Sequence, residues 1–358
     1  MSTESNSPIK GRGSASQPDA RYLSQTRESI EDGWEKQLEE SKLTTSVLPE
    51  KAKSIIARNQ SPDIPFSQSI NPYRGCEHGC IYCYARPAHA YMDLSPGLDF
   101  ESKLFYKLDA VQLLEKEIAA KNYQCSPIAL GSNTDPYQPI ERQYQVTRQI
   151  IELLKKYKHP LTIVTKSSLV ERDIELLADM AQKNLVRVFI SITTLDNSLM
   201  QKMEPRASSP ARRLKTLHRL HEAGISTGVM FAPVIPFIND KEMETILEQA
   251  AAAEVKTASY VLLRLPHEIK TLFREWLEIH YPLKAAHVMS LIQQTRGGKD
   301  YDASFEQRLI GTGQYAHIIK KRFVTACKRY KINNSEQVKL DCSQFQQPVL
   351  RGQQIDLF

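Results

Sequence analysis

Three cysteines fall within eight residues, at Cys76, Cys80 and Cys83, in the run Gly75-Cys76-Glu77-His78-Gly79-Cys80-Ile81-Tyr82-Cys83-Tyr84. The spacing is C-x3-C-x2-C, with an aromatic residue directly before the third thiol. Three thiolates can ligate three irons of a cubic four-iron, four-sulfur (4Fe-4S) cluster and leave the fourth iron open to a small chelating molecule. Structural zinc is a second reading. It takes four ligands, so His78 or His89 would have to complete a Cys3His set. Ordinary buried thiols are a third, although a run interleaved with Gly75, Gly79, Tyr82 and Tyr84 is a poor core pattern. Cys125, Cys327 and Cys342 are far apart in sequence, which fits separate buried or unpaired thiols rather than a second cluster.

The elements that would position this loop follow it in a regular alternation. Apolar spacing predicts helices over 110–121, 149–157, 173–182, 211–223 and 241–253, the fourth ended by Gly224. Between them lie short β-branched or apolar runs at 128–130, 161–165, 186–193, 226–231 and 260–265, with a further strand near Ile70 before the cysteines. Six strands separated by helical crossovers predict an α/β fold with a parallel sheet. Periodicity leaves open whether the sheet is a partial barrel or a doubly wound layer. Beyond Leu265 only helices are predicted, over 268–280, 285–294 and 314–330, with a turn at Arg296-Gly297-Gly298-Lys299-Asp300. The expected organisation is a loosely ordered N-terminal arm (1–60), a catalytic domain (61–267), a basic helical extension (268–345) and a flexible tail (346–358).

The bulk numbers agree. The chain has 358 residues, 41% hydrophobic and 25% charged, as in a globular protein. No run of 18 apolar residues occurs, so no membrane span is expected. The polar start, Met1 to Gly13, has no apolar signal region, and a reduced, cytoplasmic compartment is expected for an open cluster. The net charge of +6 is uneven. Residues 268–358 carry 14 Lys and Arg against 9 Asp and Glu. Lys320, Lys321 and Arg322 lie in a stretch without acids. Such a patch suits nucleic acid phosphates, or is simply a solvated helix face.

The cysteine triplet resembles the signature of the radical S-adenosylmethionine (SAM) enzymes. The Thr134-Asp135-Pro136-Tyr137-Gln138-Pro139-Ile140-Glu141 run, the Thr165-Lys166-Ser167 step and the Glu204-Pro205-Arg206-Ala207 segment further resemble the branch related to spore photoproduct lyase. Within it, the chain looks like a bacterial photolyase-like group without an assigned substrate. The likeness extends over nearly the whole chain, including Ser61-Pro62-Asp63-Ile64 and Arg296-Gly297-Gly298-Lys299. It implies a partial (β/α)6 barrel with chemistry at the C-terminal strand ends. It also implies a 4Fe-4S cluster on Cys76, Cys80 and Cys83, and S-adenosylmethionine chelating the open iron. An electron donor such as flavodoxin or ferredoxin would reduce the cluster. By the same resemblance Ser132, Thr134 and Asp135 lie near the amino-acid moiety of the cosubstrate, and Lys166 meets its carboxylate. Ser191 and Arg206 meet the ribose and carboxylate edge, and Tyr82 covers the adenine. Tyr82 and Tyr84 are candidate radical relays. Asp135 before Pro136 also reads as a turn former, and Lys166 as an exposed strand-end lysine. The lyase pattern is broken at one place: its hydrogen-donating cysteine at the second strand end is replaced here by Gly131-Ser132-Asn133-Thr134-Asp135. Cys125 stands seven residues before Ser132, about 20 Å away in extended chain.

The final residues, Gln354-Ile355-Asp356-Leu357-Phe358, resemble the pentapeptide by which bacterial repair and replication enzymes dock on the sliding clamp. Gln354, Leu357 and Phe358 would be the contacts. Three functions compete at this level. The first is a radical SAM enzyme acting on nucleic acid, in the manner of DNA repair. The second is a radical SAM enzyme modifying a protein or metabolite. The third is a non-catalytic iron–sulfur or zinc protein that binds DNA.

Overall fold

The computed structural model describes residues 9–23, 43–334 and 339–349. Ten strands among them form two sheets. The small sheet joins β1 (Ser46–Glu50), β4 (Tyr73–Arg74) and β5 (Lys103–Lys107), with β5 in the centre. The large sheet contains β2 (Ile56–Arg58), β3 (Gln68–Ile70), β6 (Ile128–Leu130), β7 (Leu161–Thr165), β8 (Val186–Ser191), β9 (Ser226–Val234) and β10 (Thr257–Leu262). Its order is β10-β9-β8-β7-β6-β3-β2. The six strands from β3 to β10 are all parallel, and β2 adds an antiparallel edge. This is the six-fold β/α array read from the sequence. It stays open between β10 and β2, so it is a partial barrel. Two elements span the opening at one point, where Arg308 donates to Asp63 at 2.6 and 2.7 Å and the Glu306 amide donates to the same carboxylate at 3.1 Å.

The strands form because each carries apolar residues that alternate or run continuously inward. In β7, Leu161, Ile163 and Thr165 are buried while Thr162 and Val164 are half-buried. β6 is buried throughout, as expected between two parallel neighbours. The crossover helices Val146–Lys156 and Pro210–Glu222 present Ile150, Ile151 and Leu154, and Leu217 and Leu220, to the same core. Gly224 takes φ 74° after the second helix, the left-handed geometry expected of its stop signal.

The C-terminal helices do two different jobs. Helix Gly313–Arg329 packs Ile319, Phe323 and Cys327 into the main core, against helix Met243–Ala252 and Tyr260 of β10. Helices Ile269–His280 and Ala285–Gln294 build a second core with Phe273, Trp276, Leu277, Val288 and Ile292. Cys80, Ile81 and Tyr82 of the cysteine loop belong to that second core. The extension therefore buttresses the loop. Residues 9–23 and 43–60 are also folded onto the barrel, a closer association than their polar composition suggested. No helix among the described residues is long and apolar enough to cross a membrane.

Candidate active site

The cysteine loop leaves β4 and is pinned from four directions. Gly75 and Gly79 adopt φ 72° and 67°, so the backbone turns back before Cys76 and Cys80. A Cβ on Gly75 would lie 2.9 Å from the Phe100 carbonyl oxygen, and one on Gly79 would lie 2.7 Å from the Glu101 carboxylate. These turns therefore require glycine. Arg86, fully buried, binds the loop from beneath. Its guanidinium donates to the carbonyls of Cys80 (2.8 Å), Gly79 (3.1 Å), Pro96 (3.1 Å) and Gly97 (2.9 Å), and to the carboxylate of Glu101. The same Glu101 carboxylate accepts the amides of Gly13 and Ser14, both at 2.9 Å. The N-terminal segment thus lies directly on the loop, and a Cβ on Gly13 would come within 1.8 Å of the Gly79 oxygen.

From the end of β6, the run after Thr134 braces the other side. Gln138 accepts the Glu77 amide at 2.8 Å and donates to the Gly75 carbonyl at 3.2 Å. The Asp135 carboxylate accepts the Tyr137 amide (2.9 Å), the Thr165 hydroxyl (2.6 Å) and the Lys166 amide (2.8 Å), and lies 3.3 Å from His78 Nδ1. Burial pushes this carboxyl up, but His78, Thr165 and the Lys166 amide pull it down further, to about 2. Three hydrogen bonds and the His78 contact thus tie this carboxylate to the protein. Asp135 is consequently a clasp between the cysteine loop and β7, at the strand end beside Cys76. Thr134 is similarly engaged, its hydroxyl donating to the Tyr73 carbonyl at 3.2 Å. Ser132 exchanges hydrogen bonds with the Asn71 side chain at 3.0 and 3.2 Å.

Cys76 and Cys80 are buried, Cys83 is half-buried, and none is in a disulfide. Burial raises the pKa of all three thiols, Cys80 to about 12 against the pull of Lys166. Each is thus a thiol in the metal-free chain, and metal ligation would release protons. Three thiols on one braced loop fit the three-point ligand set of an open 4Fe-4S cluster. A fourth ligand from His89 is disfavoured, because its Nε2 bonds the Lys103 carbonyl at 3.0 Å and its ring packs on Phe100. Among the described residues no three His, Cys, Asp or Glu side chains are grouped to hold a single metal ion.

Lys166 lies at the end of β7, facing Cys80, Glu204 and the Tyr82 ring, whose centre is 5.7 Å from its Nζ. Burial lowers its pKa, and its interactions with Cys80 first, then Glu204 and Asp135, raise it to a net increase. Among the described residues no carboxylate pairs with it within ion-pair distance, so it remains a cation facing the cysteine site. Beneath it lies a network that sequence reasoning missed. Fully buried Glu204 accepts Tyr82 Oη (3.0 Å), Arg213 (3.1 Å) and the Thr193 hydroxyl. Arg213 also donates to the Ser191 carbonyl at 3.0 Å. The Glu204-Pro205-Arg206-Ala207 run carried the signal, but the resemblance singled out Arg206. That guanidinium binds Glu77 and the Gly11 carbonyl (3.2 Å), at the seam of loop and N-terminal segment. Tyr84, 44% exposed, donates to the Ser132 carbonyl at the end of β6, and the Arg264 guanidinium lies 4.9 Å above its ring.

The remaining predicted positions lie elsewhere. Lys320 and Lys321 are exposed on the flanking helix, away from the cysteine loop. Arg322 is not a free phosphate ligand: it pairs with Glu244 at 2.6 and 2.8 Å and donates to the Asp240 carbonyl. Gln354, Leu357 and Phe358 lie outside the described residues. Cys125 precedes β6 and its thiol faces Cys342, at the opposite end of the strand from Ser132.

Comparison with known proteins places this geometry. The profile of the radical SAM superfamily matches residues 70–250. An uncharacterised protein of Mycobacterium tuberculosis is 36% identical over 231 residues, covering 63% of this chain and 68% of that one. An uncharacterised Methanocaldococcus jannaschii protein is 29% identical over 237 residues, 66% of this chain and 84% of that one. A radical SAM Nalpha-GlyT isomerase of Pseudomonas phage M6 is 26% identical over 196 residues, 52% of this chain and 38% of that one. In fold, the chain is similar to spore photoproduct lyase complexed with dinucleoside spore photoproduct, with TM-score 0.56, 15% identity and 79% of each chain covered. The chain belongs to the radical SAM superfamily and is an enzyme of that kind.

Proposed function

We propose that this enzyme holds a 4Fe-4S cluster on Cys76, Cys80 and Cys83 and uses S-adenosylmethionine to abstract hydrogen from a nucleic acid substrate. The observation that carries the reading is the braced loop of three cysteines faced by the unpaired ammonium of Lys166. When bound and reduced, the cluster supplies the electron that cleaves S-adenosylmethionine to methionine and the 5′-deoxyadenosyl radical. The chain's own residues bind and orient. Lys166 meets the cosubstrate carboxylate, since a half-buried cation without an ion pair favours an anion. The Tyr82 ring gives an apolar wall for the adenine, held by its hydroxyl on Glu204. Ser191 lies nearby on β8, held by Arg213 through its carbonyl. Tyr84, adjacent to Cys83 and bonded to the Ser132 carbonyl at the end of β6, would pass a hydrogen atom.

The nucleic acid assignment is supported by the fold shared with a lyase whose structure holds a dinucleoside photoproduct, and by the basic stretch of residues 268–358. The absence of a cysteine at the end of β6 argues for chemistry other than that lyase's. Lys320 and Lys321 are left to add diffuse attraction for phosphates, and the final pentapeptide to dock on a sliding clamp. A flavodoxin- or ferredoxin-type donor and a cytoplasmic setting complete the reading. To test it, the reconstituted enzyme is incubated with S-adenosylmethionine and deuterated oligonucleotide. Deuterium in the 5′-deoxyadenosine supports the reading. Deuterium transfer from a labelled protein extract but never from DNA or RNA favours the protein-modifying alternative.

A further inference from the structure

Two arginines near Tyr84 form no ion pair among the described residues, and the more distant Asp302 acts on one of them, Arg296. Arg264 follows β10, and its guanidinium lies 4.9 Å above the Tyr84 ring. Its Nε is buried without a hydrogen-bond partner, and its one hydrogen bond is a 3.3 Å contact to Tyr301 Oη. Arg296, 1% exposed, also has an orphaned Nε and spends its other nitrogens on the carbonyls of Leu262, Leu263 and Gln307. Burial and the nearby charge of Arg264 push the Arg296 guanidinium down to about 10. Among the described residues no carboxylate forms an ion pair with either arginine. Arg308, by contrast, is neutralised by Asp63. Withdrawing a cation such as Arg296 from water without a paired carboxylate is costly. An anion from outside would offset that cost.

Resting on the nucleic-acid reading above, we propose that Arg264, backed by Arg296, receives a phosphate of a single-stranded nucleic acid at the mouth of the barrel. A guanidinium fork matches phosphate geometry. Aromatic faces accompany it: Tyr84 is 44% exposed and Phe305, beneath the Arg308 guanidinium at 4.9 Å, is 54% exposed. Arginines interleaved with exposed rings suit an unpaired nucleotide, whose base can lie on a ring while its phosphate is held. A base inside a duplex presents no free face, so single-stranded or flipped-out substrate is required. The site adjoins Cys83 through Tyr84, whereas the basic helix Gly313–Arg329 lies on the flank. Phosphate capture at Arg264 would therefore deliver the nucleotide to the chemistry.

The test uses the full-length, anaerobically reconstituted protein and a short fluorescein-labelled oligodeoxythymidylate, with binding read by anisotropy across a salt series. Arg264→Gln is expected to weaken binding about 10- to 150-fold, the worth of a charge-assisted hydrogen bond. It should also flatten the salt slope by about 0.7 for each phosphate no longer neutralised. Arg264→Lys, which keeps charge and fold but loses the fork, should retain the slope and lose part of the affinity. Lys299→Gln, removing an exposed charge from the neighbouring turn, should change affinity by no more than about threefold. If Arg264→Gln binds like the wild type, or no worse than Lys299→Gln, the Arg264 site is wrong while the nucleic-acid reading stands. If the wild type ignores the oligonucleotide but binds a polyglutamate peptide, both fall.

Discussion

Replacing Arg86 with alanine tests whether the cysteine loop is held by one buried clasp. The side chain is fully buried and makes five donations: two to the Gly79 and Cys80 carbonyls of the loop, two to the Pro96 and Gly97 carbonyls, and one to Glu101. Its loss strands a fully buried carboxylate whose other partners are the amides of Gly13 and Ser14. Removing one member of a buried ion pair costs about 3–5 kcal/mol, because the remaining charge is uncompensated. That is a large part of the roughly 5–15 kcal/mol that holds a domain together. At about 2–4 °C per kcal/mol for chains of this order, the apparent Tm should fall by at least about 6 °C. The loop should loosen more than the barrel, since Arg86 serves the loop and not the strands. The assay is thermal unfolding by circular dichroism at a fixed scan rate, paired with iron content after anaerobic reconstitution. Arg86→Lys should fall between the two, keeping the charge for Glu101 but not the reach to four carbonyls. An Arg86→Ala protein with wild-type Tm and full iron content would refute the clasp.

Three further outcomes follow from other parts of the site. Gly13→Ala forces a Cβ against the Gly79 oxygen; it should lift the N-terminal segment at a cost of about 1–3 kcal/mol and speed proteolysis within residues 9–23, measured by mass spectrometry. Lys166→Ala should weaken S-adenosylmethionine binding about 10- to 150-fold while iron content stays unchanged, and equal affinity by calorimetry would remove Lys166 from the site. His159 is buried and its pKa is lowered by burial to about 4, so it stays neutral in the fold while the unfolded chain protonates near 6.5. Its contribution is therefore complete above pH 6.5 and is lost as pH falls from 6.5 to 4, by up to about 3 kcal/mol; His159→Gln should flatten the urea-midpoint profile across that window.

Much of the fold was legible because it rests on local patterns. The strand at 128–130 and the helix at 285–294 have the predicted bounds, since apolar periodicity and turn residues define them within a short window. The choice between barrel and layered sheet was not legible, because curvature is a property of six strands together. In the site, the cysteine triplet was readable from its spacing together with the flanking Gly and Tyr residues and the resemblance they carry. Its bracing was not, because the partners lie far off in sequence: Gly13 and Glu101 are separated by 88 residues, and Tyr82 and Glu204 by 122. Asp135 shows the same limit. Its position at a strand end suggested a ligand, and only the fold reveals that its carboxylate also holds the Tyr137 amide, the Thr165 hydroxyl and the Lys166 amide. The helical extension was read as an appendage because nothing in its own sequence shows that Phe273 and Trp276 share a core with Ile81 and Tyr82.

The central claim is that Cys76, Cys80 and Cys83 together hold an open 4Fe-4S cluster that binds S-adenosylmethionine. The most direct measurement is electron paramagnetic resonance of the reduced protein, with and without S-adenosylmethionine, alongside iron analysis of the anaerobically purified chain. The account predicts about four irons per chain, a signal that changes when the cosubstrate is added, and loss of both in Cys83→Ala. Zinc in place of iron, or a cluster whose signal ignores S-adenosylmethionine, would contradict it.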